Sequence, residues 1–215
     1  MKNLLPGLRE FSANVFPEHQ EMFETLSQGQ KPHTLMITCS DSRIDPNLLT
    51  QTKPGELFVV RNAGNIVPPY GASGGGEEAA IEFAIEGLGV TNVVICGHSH
   101  CGAMAAVAGK VNLDPLPCVK KWIGHAHATK RRLDQKNGDF TLNDVVEDNI
   151  LVQADNLRTH PSVSAGLRAG RIHLYGWVYN FEAGMVKIYD GKNKRFVPSV
   201  EVSADHAKDP NRFAL

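Results

Sequence analysis

The chain has 215 residues, 42% of them hydrophobic and 21% charged, and its 22 Lys and Arg nearly cancel its 23 Asp and Glu. That length fits one domain, or two small ones, with enough apolar residues for a single buried core. The balanced charge argues against a general nucleic-acid binder and against an acidic disordered chain, and no apolar run approaches bilayer-spanning length. Nucleic acid and membrane are therefore not expected partners. The first ten residues, MKNLLPGLRE, contain no long apolar stretch of a secretory signal. The expected location is the cytoplasm, where disulfides are rare, so Cys39, Cys96, Cys101 and Cys118 read as free thiols, core residues or metal ligands.

Residues 1–29 read as a helical arm, with Phe11, Val15, Phe16, Phe23 and Leu26 at near-helical spacing and Pro17 as a break. Short apolar runs at 35–38, 57–60 and 92–96 read as strands of a parallel sheet covered on both faces. A helix is predicted over 79–86, closed by Gly87, and another starting near Cys101-Gly102-Ala103-Met104. Residues 115–159 read as helical with a break near Asn137-Gly138, and charged runs such as Lys130-Arg131-Arg132 read as solvated faces. Residues 172–179 alternate as a strand, with 185–189 as a hairpin partner across Glu182-Ala183-Gly184. The tail from about residue 203 is polar and is expected to be mobile. Strand–helix alternation without repeat or linker predicts one α/β domain over 1–215: a mostly parallel central sheet flanked by helices, a helical arm and a C-terminal hairpin.

Two motifs carry chemistry: Cys39-Ser40-Asp41-Ser42-Arg43 after the first predicted strand, and His98-Ser99-His100-Cys101 after the third. Functional groups in open α/β sheets gather at the carboxyl ends of strands, so the two can meet in space. Two thiolates and an imidazole form a known catalytic zinc set when water takes the fourth position. Cys101, near a predicted helix N-terminus, has its thiolate favoured by the helix dipole. A lone strand-end cysteine is more often core, and one H-x-x-C is weak; the combination is stronger. Cys96 reads as core and Cys118 as core or surface. His100 competes with His98 as a ligand, but its adjacency to Cys101 makes joint binding awkward. Asp41 and Arg43 read either as a structural ion pair or as a bidentate pair beside a metal, Arg43 keeping Asp41 ionised and oriented toward metal-bound water.

Cys39-x-Asp41-Ser42-Arg43, Pro54-Gly55-Glu56, Arg61-Asn62-Ala63-Gly64-Asn65 and Gly97-His98-Ser99-His100-Cys101-Gly102 together resemble the β-class carbonic anhydrases. The likeness is dense from Gln30 to Gly109 and resumes at His173–Tyr179 and at Tyr189-Asp190-Gly191. The run from Arg61 to Pro68 is most similar to the plant and bacterial branch, including enzymes encoded beside cyanase. The resemblance implies reversible hydration of CO2 to bicarbonate by zinc-bound hydroxide. It implies one Zn2+ per chain on Cys39, His98 and Cys101, with Asp41 and Arg43 as the dyad beside it. Gln30, Ala63 and Gly102 are implied as substrate-binding residues, and Phe58 and Phe83 as the lining of an apolar CO2 pocket. That pocket is completed in the family across a homodimer interface embraced by N-terminal helices, and the family also forms tetramers and octamers. Some members close the site with the aspartate on zinc and bicarbonate in a pocket using a tryptophan where this chain has Met36. An open site, with Asp41 on Arg43, is therefore expected here. His33 and His100 are the candidate proton shuttles. The competing readings are a structural zinc module, hydrolysis of carbon disulfide, and a thiol redox enzyme; the last lacks any C-x-x-C pair.

Overall fold

A computed structural model of the protein describes residues 1–136, 139–203, 209, 214 and 215. The chain divides into two compact units, residues 1–31 and 32–215.

The first unit is the expected arm. Its helices are α1 (Leu5–Glu10), a π-helical turn (Phe11–Val15), α2 (Phe16–Glu18) and α3 (Gln20–Ser27). None of its helical residues is buried. Instead the rings of Phe11, Phe16 and Phe23 meet one another at centroid separations of 5.6 to 6.2 Å.

The second unit is built on strands β1 (Thr34–Cys39), β2 (Leu57–Asn62), β3 (Asn92–His98), β4 (His173–Asn180), β5 (Met185–Asp190) and β6 (Arg195–Pro198). They form one sheet in the order β2-β1-β3-β4-β5-β6. The first four strands run parallel, and the last two pairings are antiparallel. The expected hairpin is present as β4–β5, extended by β6, a four-residue strand ending in Pro198 that the sequence reading did not find. Proline at that end costs no ladder bond on an edge strand.

The helices of this unit are α4 (Pro46–Thr50), α5 (Gly76–Glu82), α6 (Gly102–Val107), α7 (Pro117–Ile123), α8 (His127–Asp134), α9 (Leu142–Leu157) and α10 (Pro161–Arg168). A π-helical turn (Phe83–Gly87) continues α5, so the helix predicted over 79–86 ends as expected at Gly87. Two helices were not foreseen. α4 is only five residues long and is started by Asp45, whose carboxylate accepts from the Leu48 N–H at 3.1 Å. α10, rich in Ser and Gly, has a weak intrinsic signal; it forms because its buried face docks, with Gly166 against Ile172. The break expected at Asn137-Gly138, and 204–208 and 210–213 of the expected tail, lie outside the described residues. The last two residues do return to the sheet: Ala214 bridges Tyr175 and the Leu215 N–H donates to Leu174 O at 2.9 Å.

The main core covers the sheet face carrying Leu35, Ile37, Val93 and Ile95, where α9 contributes Val145, Val146, Ile150 and Leu157. α9 starts at a capping box in which Thr141 and Asp144 each bind the other's backbone N–H. Gly97 is required beneath it, because a Cβ there would stand 2.7 Å from Val146 Cγ1. The opposite sheet face carries a smaller cluster of Met36, Val94 and Cys96 beside Leu57, Tyr175 and Trp177. A cavity of about 390 Å³ opens on that face. Among the described residues no helix is long and apolar enough to cross a membrane.

Candidate metal centre

β1 and β3 are adjacent and parallel, so their carboxyl ends emerge side by side. The chain leaves β1 toward β2 on one side and β3 toward β4 on the other. This is the switch point at which open α/β sheets place their sites. Both motifs begin inside the strands rather than after them: Cys39 is the last residue of β1 and His98 the last of β3. The ladder thus fixes these two backbones directly. Cys101 follows as the residue just before α6, in extended conformation.

The ligating atoms of Cys39, His98 and Cys101 all lie within 4.8 Å of one another, and all three residues are buried. His98 Nδ1 is 2.8 Å from the Ser99 carbonyl oxygen, which places the ring proton on Nδ1 and leaves Nε2 as a lone-pair donor. Nε2 is buried with no hydrogen-bond partner. A buried polar atom in that state calls for an occupant, and two sulfurs and an imidazole suit a divalent metal of borderline softness. The residues present therefore fit a metal ion. His100 is not part of this set; its Nε2 lies 2.9 Å from Glu182 Oε1 in an exposed pair.

The two sulfurs perturb each other in opposite directions. The Cys101 thiol beside it, with His98 and the Gly64 and Asp41 N–H groups, lowers Cys39 to about 4 against the opposing effect of burial. Cys101 is pushed up by the Cys39 thiolate and by burial, while the Ala103 and Met104 N–H groups at the start of α6 pull the other way. The helix terminus does favour the Cys101 thiolate, but its neighbour outweighs it. Gly64, which donates to Cys39 Sγ at 3.3 Å, has φ +85 and no room for a Cβ, which would sit 2.8 Å from Ala103 Cβ.

Asp41 and Arg43 form the bidentate pair that the sequence suggested. Arg43 donates from Nε to Asp41 Oδ1 at 2.9 Å and from Nη2 to Oδ2 at 2.7 Å, and its backbone N–H reaches Oδ1 at 3.0 Å. Arg43 holds the Asp41 carboxyl well below the usual carboxylate range. Asp41 Oδ2 stands 3.9 Å from His98 Nε2, beside the metal-ligand set and turned to Arg43.

Three supporting residues escaped the sequence reading. Arg61 donates to the carbonyls of Cys39 at 3.0 Å and Asp41 at 2.8 Å, fixing the backbone between ligand and dyad. Phe181, just past β4, carries Arg43 4.7 Å above its ring centroid and packs against His98 at 5.1 Å. Asn149 of α9 donates to Gly64 O at 3.2 Å. Arg61 stood in a quoted motif and could have been found there; the other two carry no local signal.

Phe58 and Phe83 do come together, with ring centroids 6.0 Å apart. Ala63 is exposed, and its carbonyl accepts from Trp122 Nε1 at 2.9 Å. A cavity of about 360 Å³ opens there, lined also by Glu77 and by Cys118, which is exposed. Gly102 is the exposed first residue of α6. Cys96 is core, as expected. Gln30 belongs to the arm unit. His33 is not brought to the site: it precedes β1, six residues and roughly 20 Å of extended strand from Cys39.

The carbonic anhydrase family profile matches residues 34–186. A carbonic anhydrase of Synechococcus elongatus is 47% identical over 191 residues, covering 86% of this chain and 70% of its own. One of Pseudomonas aeruginosa is 45% identical over 204 residues, covering 94% and 93%. The solved structure of the beta-carbonic anhydrase CcaA superposes with a TM-score of 0.87 at 46% identity, over 92% of this chain and 98% of that one. With these likenesses spanning the sheet, both motifs and the dyad, the chain belongs to the carbonic anhydrase family, in its β class.

Proposed function

We propose that the protein hydrates CO2 reversibly to bicarbonate and a proton, using one zinc ion per chain held by Cys39, His98 and Cys101. The observation that carries this reading is the buried, unpartnered His98 Nε2 grouped with two thiols beside an intact Asp41–Arg43 pair. Zinc bound there supplies Lewis acidity that makes water nucleophilic near neutral pH. Among the described residues the group offers three ligands, which suits a catalytic rather than a structural site.

The chain's own residues do the rest. His98 is held in the Nε2-donating tautomer by Ser99 O. Asp41 Oδ2 accepts a hydrogen bond from the attacking water and sets the direction of its lone pair, while Arg43 keeps the carboxylate ionised. Phe58 and Phe83 offer an apolar surface to a gas that makes few hydrogen bonds. The Gly102 N–H and Ala63 bind the hydrated product. His100, paired with Glu182 at the protein surface, is the remaining candidate to pass the proton to solvent.

The minimal unit is a homodimer, and the catalytic domain spans 1–215. The arm buries none of its helical residues, and Leu4, Leu8, Phe11 and Phe16 are exposed on it. An apolar arm without a core of its own suits an embrace of a second copy. Four unpaired cysteines suit a reducing compartment such as the cytoplasm.

Stopped-flow CO2 hydration on zinc-quantified protein tests the reading. Activity at one zinc per chain, lost on Cys39→Ser together with the zinc, is the expected result. A zinc-loaded protein inert toward CO2 from about pH 6.5 to 9 would overturn it.

A further inference from the structure

Between β2 and α5 the chain crosses the interior without regular structure, and residues 64–68 are all buried. Buried irregular backbone must find partners for its N–H and C=O groups. Asn62 takes both groups of Ile66, and four further groups find partners on one stripe of α9 and the turn after it. Asn149 Nδ2 donates to Gly64 O at 3.2 Å. Gln153 Oε1 accepts from the Val67 N–H at 2.9 Å, and Asn156 Nδ2 donates to Val67 O at 2.9 Å. His160 Nε2 is 3.0 Å from Pro68 O. Positions 149, 153 and 156 repeat at helical spacing, a polar stripe within a helix whose other buried residues are apolar.

The stripe is braced internally. Asn149 Oδ1 accepts from both Thr129 Oγ1 at 3.1 Å and Gln153 Nε2 at 2.8 Å. Two donors on that oxygen fix the amide the one way round that leaves Nδ2 facing Gly64 O. On the other side of the same residue, the Gly64 N–H points at Cys39 Sγ. A continuous path of hydrogen bonds thus runs from Thr129 and Gln153 through Asn149 and Gly64 to a metal-ligand sulfur.

We propose that Asn149, oriented by Thr129 and Gln153, is a positioning residue for the metal centre: it holds the Gly64 N–H on the Cys39 sulfur and so sets how strongly that sulfur donates to the metal. The inference rests on the metal-binding reading above. A sulfur that accepts a hydrogen bond gives less charge to its metal, and partners at this remove typically change metal affinity by about 10–100-fold. A merely structural stripe would stabilise the loop without reaching the metal.

Cobalt in place of zinc reports on this directly, through its sulfur-to-metal charge-transfer bands in the near ultraviolet. Four proteins are compared as cobalt-loaded full chains: wild type, Asn149→Leu, Thr129→Val and Leu157→Ala. The wild type should show the bands; their absence would defeat the metal-site reading and leave the positioning role without a target. With bands present, Asn149→Leu should move them to lower energy and change the rate of cobalt loss to a chelator by about tenfold. Thr129→Val, nearly the same shape, should move both in the same direction by less, and it stands in if Asn149→Leu does not fold. Leu157→Ala removes apolar packing from the same helix and should lower the melting temperature with the bands unmoved. Unmoved bands and an unchanged cobalt loss rate in the folded Asn149 or Thr129 variants would overturn the positioning role. Bands displaced equally by Leu157→Ala would overturn it too, since general loosening of α9 would then suffice.

Discussion

Two thiolates cancel the formal charge of a divalent metal, whereas three imidazoles leave it in place. Zinc on Cys39, His98 and Cys101 should therefore be a weaker Lewis acid than an all-histidine site, and CO2 hydration should climb into mildly alkaline pH. A rate flat from about pH 6 to 9 would contradict that. Asp41 does not contribute to this slope. Its carboxyl is depressed by Arg43, so the pair is intact above the ordinary carboxylate range and is lost only as pH falls through the lowered value. Asp41→Asn should keep the zinc but reduce kcat/KM by on the order of 10²-fold, because the neutral amide can present an N–H where the water needs an acceptor. Metal analysis of the same sample separates that from loss of the ion. The dyad and the ligand types could be read in the sequence because each sits in a short motif of chemically rare composition. Phe181 could not: it is an aromatic after a strand, and only the fold carries it beneath Arg43 and beside His98.

Among the elements, α9 combines one face of the core with the support of the site. Its capping box makes the start of the helix a testable stability element: Thr141→Ala should cost about 1 kcal/mol at neutral pH, read from denaturant melts. Thr141, through its hydroxyl and backbone N–H, lowers the Asp144 carboxyl. Asp144 therefore stabilises the fold above its ordinary value of 3.8, and that contribution fades as pH falls through the lowered one. The advantage of wild type over Asp144→Asn should shrink on acidification. At Gly97, a methyl group would strike Val146 of α9, so Gly97→Ala should destabilise by about 1–3 kcal/mol in the same assay. The parallel strands were legible as short apolar runs, and the β4–β5 hairpin as alternation. α4, α10 and β6 were not, since segments of four to eight residues with Pro, Ser and Gly carry little local preference and form because the neighbouring structure binds them.

For the whole molecule, the arm is the part that carries exposed apolar side chains together. Phe11, Phe16 and Phe23 pack against one another, and the arm helices have no buried residue. If the arm embraces a second copy, Phe11→Asp with Phe16→Asp should convert dimer or larger assemblies to monomer in analytical ultracentrifugation. If the partner completes the apolar substrate pocket, CO2 hydration should fall with it. Dimers of unchanged stability in the double variant would defeat the embrace.

By itself the sequence determined the parallel α/β sheet, the arm, the Cys39, His98 and Cys101 group that could hold a metal, and the Asp41–Arg43 pair. These depend on local apolar periodicity and on rare reactive residues in close spacing, which survive without knowledge of the fold. Tertiary structure alone decided that Cys39 and His98 lie inside strands, that His33 stands at the far end of β1, and that Phe181 and Asn149 support the site. Those contacts join residues up to 138 positions apart, such as Arg43 and Phe181. No spacing along the chain encodes them; they follow from which strands pair, and from a buried loop that must satisfy its backbone wherever the packed helices offer a partner.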